Sequence, residues 1–196
     1  MFVVKMLLRT LIVLTFIALP SAAKATEISK ETANAYFGQC MNARDERMTE
    51  TTQEELCACT SAHIMGKMSA EDIQIMGENT SRGRAALNRM LIDVYGPCMA
   101  GPVTDMVNSQ CDTDPRIALA DQTIDRAVLC GCMAERTNEW FTTAGPEIMS
   151  KALMEQPYKG DPITPVAESK VFKDETYEIM LACVSEIQSN PKGRRR

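Results

Sequence analysis

The sequence predicts an all-α fold: two tandem, disulfide-stapled helical repeats, each of about three to four helices around a central CxC helix. Three observations predict it. Cys40, Cys57-Ala58-Cys59 and Cys98 are followed by Cys111, Cys130-Gly131-Cys132 and Cys183, so one four-cysteine order occurs twice. Apolar residues recur at helical spacing, and no stretch sustains the alternation of a strand. Capping residues and prolines punctuate the chain where such helices should begin and end.

At the N-terminus, Lys5 and Arg9 precede the uncharged run from Leu11 to Leu19, then Pro20 and small residues. This is the pattern of a secretory signal peptide, and the run is far short of the roughly 20 residues a membrane-spanning helix needs. Ala23-Lys24-Ala25 offers a cleavage site, so residues 1–25 are expected to be removed after Ala25, with Ala23 as the alternative. No cysteine precedes Cys40 to accept a lipid. The mature chain is therefore expected to be periplasmic or secreted, soluble and without a transmembrane anchor. It retains 18 basic and 26 acidic residues, a net charge of about −8, which excludes a general nucleic-acid binder.

The first repeat is placed at residues 26–101. Thr51-Thr52-Gln53-Glu54-Glu55 contains two overlapping capping boxes and predicts a helix start there. The helix that follows carries the first CxC, and from Leu56 to Gly66 its only titratable side chains are His63 and the cysteines, so it is expected to be buried on most sides. Ser69-Ala70-Glu71-Asp72 predicts the next start. Leu87, Met90, Leu91 and Val94 form an apolar stripe that Cys98 continues, and Gly96-Pro97 closes the repeat.

The second repeat is placed at residues 102–190. Its CxC lies in the uncharged stretch Ala127 to Ala134. Thr143-Ala144-Gly145-Pro146 sets a proline close to the first turn of a new helix. A Pro-rich insertion near residues 156–165 reads as a loop. Phe172, Ile179, Met180, Cys183, Val184 and Ile187 form the closing stripe. Residues 191–196 are a basic tail, with Lys192 and Arg194 to Arg196, of the kind that is usually solvated.

Residues two apart on a helix point about 200° apart around its axis, so the two sulfurs of each CxC should reach different neighbours. Cys40 and Cys98 are expected to pair with Cys57 and Cys59, and Cys111 and Cys183 with Cys130 and Cys132. Both repeats should make the same choice, although the spacing leaves open which partner goes with which cysteine. Such bonds, closing loops of about 20 to 40 residues, would each restrict the unfolded chain by roughly 3–4 kcal/mol.

The sequence points away from an enzyme. His63 is the only histidine, and neither a nucleophile elbow nor an HExxH motif occurs. The acid pairs Glu54-Glu55 and Glu71-Asp72 suit helix N-termini. Both CxC motifs sit in apolar runs without adjacent Lys or Arg, surroundings that favour structural staples over a reactive thiolate. His63, Met65 and Met68 offer imidazole and thioether groups that together suit Cu(I). Most of the twelve methionines beyond residue 25, however, fall at helical spacing, where they fill core gaps, and no cofactor is expected. The functional expectation is an exported binding or structural module. Its partner is expected to be another periplasmic or extracellular protein, met by Trp140, Phe141 and Tyr158, and the competing reading is a thiol-redox or copper-handling protein.

Overall fold

Side-chain caps set the helix starts in the computed structural model, which describes residues 26–111, 113–115, 117, 124–155 and 161–189. Residues 1–25, Tyr158 and the basic tail lie outside the described residues. α1 (Lys30–Asn42) begins after Ser29, whose hydroxyl accepts the Thr32 amide. α2 (Glu50–Lys67) begins after Thr49, ahead of the predicted capping boxes. The start is fixed by a distant contact, since the Thr49 amide donates to Asp105 at 2.8 Å. α3 (Ala70–Ile75) has the predicted reciprocal box, in which the Asp72 amide donates to Ser69 and the Ser69 amide donates to Asp72. α4 (Ser81–Arg89) starts at Thr80 and runs into a π-helical turn, Met90–Tyr95, and a 3-10 turn, Gly96–Cys98.

α5 (Ala100–Cys111) crosses the point between the two cysteine quartets without a break. α6 (Arg126–Glu155) carries the second CxC, α7 (Ile163–Glu168) is short, and α8 (Lys170–Ser189) closes the described chain. The fold is all-α. Among the described residues there is no strand; Glu27 and Ser69 form an isolated bridge. No described helix is long and apolar enough to cross a membrane.

Four disulfides join Cys40 to Cys57, Cys59 to Cys98, Cys111 to Cys130 and Cys132 to Cys183. In both quartets the first cysteine of the CxC takes the preceding helix and the second takes a later segment, with Cα separations of 5.6 to 5.9 Å. The two apolar stripes face inward as read, with Met90, Leu91, Val94 and Cys98 buried, and Phe172, Ile179, Met180, Cys183 and Ile187 likewise. One large core joins residues of both quartets, among them Leu56, Leu91 and Met99 with Phe141, Ile148 and Cys183. A smaller core gathers Ile28, Ala33, Ile64, Met68, Met90 and Val94.

Three local expectations are corrected. Pro146 does not start a helix but lies inside the 30-residue α6. Where it sits, α6 crosses the 3-10 turn so closely that a Cβ on Gly145 would lie 2.2 Å from the Gly96 carbonyl oxygen. Packing against this turn holds the helix together across a residue that lacks an amide donor. The end of the Pro-rich insertion is α7 rather than loop, because Asp161 accepts the Ile163 and Thr164 amides at 2.9 and 2.8 Å while Ile163 and Val166 are fully buried. Finally, α2 is buried on one side only: Leu56, Cys57, Thr60 and Ile64 face the core, but Ala58, Ala62, Met65 and Gly66 are exposed. Ala58, Ala62 and Gly66 carry little apolar area, so their exposure costs little.

Candidate groove between α6 and α8

The second CxC helix continues past its cysteines to present Arg136, Glu139, Trp140 and Thr143 toward α8. From α8, Glu175, Glu178, Ile179 and Ala182 complete an open groove of about 630 Å³. A neighbouring hollow of about 540 Å³ shares Arg136 and Glu139 and extends toward Cys132, Glu135 and Glu186. Trp140 is half-buried and firmly seated. Its ring lies edge-on to Phe141 at 5.0 Å between centroids and stacks on Phe172 at 6.3 Å, so its remaining surface is held in a fixed orientation.

Charge distinguishes this groove. Arg136 donates to Glu186 at 2.6 Å, which leaves its cation already matched. Among the described residues no Lys or Arg pairs with Glu139, Glu175 or Glu178, all of which border the groove around Trp140. A groove that holds an indole and carboxylates together suits a cationic group, through the ring quadrupole and through charge-assisted hydrogen bonds. Sequence reading singled out Trp140 but not these acids. Their signal was nevertheless present, since Glu175, Glu178, Ala182 and Glu186 fall at i, i+3, i+7 and i+11 beside the apolar stripe of α8.

The other residues expected to meet a partner are placed differently. Phe141 is 1 % exposed and belongs to the core, so it supports Trp140 from beneath and offers no surface of its own. The reason is register: Thr137, Phe141, Gly145 and Ile148 share the inward face of α6. Tyr158 lies outside the described residues.

Of His63, Met65 and Met68, the two methionines line a common groove that His63 does not. That groove lies near Thr26, Ser69 and Asp72, and Met68 is 5 % exposed. Eight methionines, Met48, Met68, Met90, Met99, Met106, Met133, Met149 and Met180, are buried, in keeping with gap filling. His63 instead stands beside the Cys59–Cys98 disulfide, one helical turn after Cys59. Compared with protein-family profiles, curated proteins and solved structures, the chain matches none.

Proposed function

We propose that the chain is an exported, soluble helical binding module that holds a basic segment of another exported protein in the groove between α6 and α8. The observation that carries this reading is that Glu139, Glu175 and Glu178 line one groove with the firmly seated Trp140, without cationic partners among the described residues. Four disulfides suit the oxidising compartment to which the residues 1–25 leader would deliver the chain. The acidic balance of the whole sequence further favours a basic partner through long-range attraction.

Trp140 is the only tryptophan, so its emission reports on this groove alone. Titration with a Lys/Arg-rich peptide carrying one or two apolar residues is expected to shift that emission saturably, with affinity falling as salt rises. The double substitution Glu139→Gln/Glu178→Gln should weaken binding by about tenfold or more, equivalent to about 1.4 kcal/mol. An equal response in the double variant, or none to basic peptides in the parent protein, would refute the reading.

A further inference from the structure

The side chains of Cys59, His63 and Cys98 converge, with the two sulfurs and an imidazole nitrogen all within 4.8 Å of one another. We propose that the Cys59–Cys98 disulfide is a latent metal site: once reduced, its two thiolates and the His63 imidazole bind a thiophilic d10 cation, Zn2+ or Cu+. This goes beyond the partner-binding reading and does not depend on it, since the site lies on α2 and the 3-10 turn rather than between α6 and α8.

Helix geometry supplies the first pair of ligands. Cys59 and His63 are four residues apart on α2, so their side chains share one face. The disulfide fixes Cys98 opposite, with 5.7 Å between the Cα atoms. Two thiolates in a tetrahedral site at about 2.3 Å from the metal sit about 3.8 Å apart, a separation that rotation about the cysteine side-chain bonds supplies once the sulfur–sulfur bond is gone. The His63 nitrogen then needs only a small adjustment to become the third ligand. His63 is reachable from outside, since it lines an opening of about 200 Å³ with Ala62, Gly66 and Lys67.

The chemistry balances with an exported dithiol as reductant. One of its thiolates attacks Cys59, the half-buried end of the bond, and the sulfur–sulfur bond breaks toward Cys98. The second dithiol sulfur displaces Cys59, so the reductant leaves as a disulfide and two electrons and two protons pass to Cys59 and Cys98. Metal binding then releases those two protons. Cys40, Cys59, Cys130 and Cys132 are all half-buried, so the bonds differ at their other ends, where Cys57, Cys111 and Cys183 are 2 % exposed or less and Cys98 is 8 % exposed. None of the other three bonds appears with an imidazole in a three-ligand cluster among the described residues. At the position matching His63 in the second quartet stands Arg136, which has no lone pair for a metal and is paired with Glu186.

The test uses the exported, fully oxidised protein under anaerobic conditions. Graded dithiothreitol, followed by alkylation and peptide mapping, should label Cys59 and Cys98 together before any other pair, with helical circular dichroism retained. That two-thiol species should take up one Co2+, giving thiolate-to-cobalt charge-transfer absorption, and should then exchange it for Zn2+. A parallel titration with Cu+ under a chelating competitor identifies which cation is preferred. His63→Ala should leave the order of reduction unchanged and weaken binding of the preferred cation at least tenfold. Prior opening of another disulfide, loss of helicity in the two-thiol species, or equal metal affinity in His63→Ala would each overturn the site.

Discussion

Arg47 shows how much one side chain ties together. It lies between α1 and α2, yet its guanidinium donates to Asp45 at 2.6 Å and to Asp161 at 2.9 Å, and also reaches the Thr164 hydroxyl in α7. The hydrogen bond from Arg47 holds the Asp45 carboxyl below its usual range. Partial burial pushes Asp161 the other way, but hydrogen bonds from Thr164 and Arg47 outweigh it and leave that carboxyl lowered as well. A carboxylate lowered in the folded state contributes stability that is full above the unfolded value of about 4 and is lost as pH falls through the folded value. Arg47→Met is therefore expected to lower stability at neutral pH and to make the acid side of the stability profile shallower below about pH 4. The loss should be about 1 kcal/mol or less, because the Arg47 side chain is 38 % exposed and solvent screens the pair. Urea denaturation from pH 7 to pH 2.5 measures both effects, and an unchanged acid limb would show that the cluster does not couple folding to protons.

At the scale of elements, the crossing of α6 over the 3-10 turn is the most tightly constrained feature. A Cβ on Gly145 meets the Gly96 carbonyl at 2.2 Å, and one on Gly96 meets Pro146 Cα at 2.8 Å, so backbone would have to move in either case. Gly145→Ala should cost about 1–3 kcal/mol through overpacking. Gly131→Ala, in the same helix with nothing within 4 Å of its Cβ, should stabilise by about 0.5–1 kcal/mol through helix propensity. Opposite signs in chemical denaturation check the pair, and two changes of the same sign would contradict the packing account. This crossing also marks where the sequence stops being readable. The disulfide partners and apolar stripes were legible because helical spacing alone determines which residues share a face. Pro146 was not, since local rules place proline at a helix start, while the contact that makes a continuous helix the better solution comes from Gly96, 50 residues away. α7 is hidden for the opposite reason: the prolines and glycine around it have the composition of a loop, while its start depends on the Asp161 carboxylate two residues before Ile163. The groove was half legible, Trp140 by its size and its acids only after α6 and α8 were placed side by side.

For the whole molecule, covalent and noncovalent links follow different patterns. Each of the four disulfides stays within its own quartet, whereas the large core joins Leu56, Leu91 and Met99 to Phe141 and Ile148 across the quartets. Arg47 adds a polar link from the first quartet to Asp161. α5 runs through the junction with Val103, Met106 and Val107 buried. Separating the quartets would expose this shared core to water at roughly 25 cal/mol for every Å² of apolar surface, so neither half should persist once the other has unfolded. The oxidised protein is therefore expected to unfold in a single transition, with circular dichroism and Trp140 emission changing at the same urea concentration. The two probes sample different regions: helicity reports on α1 to α4 as well as α6, while Trp140 reports on the α6–α8 groove alone. α1 is the test of how far this cooperativity extends. It is held by the Cys40–Cys57 bond, by Ala33 in the smaller core and by a 2.7 Å hydrogen bond from Tyr36 to Tyr95, but it contributes nothing to the large core's buried residues. Cys40→Ser/Cys57→Ser should therefore lower global stability by about 3 kcal/mol and increase hydrogen exchange first in α1. Trp140 emission in the native variant should remain that of the parent. Early exchange in α6 or α8, or two separated transitions in the parent protein, would show instead that the quartets fold as independent units and that the shared core is not what joins them.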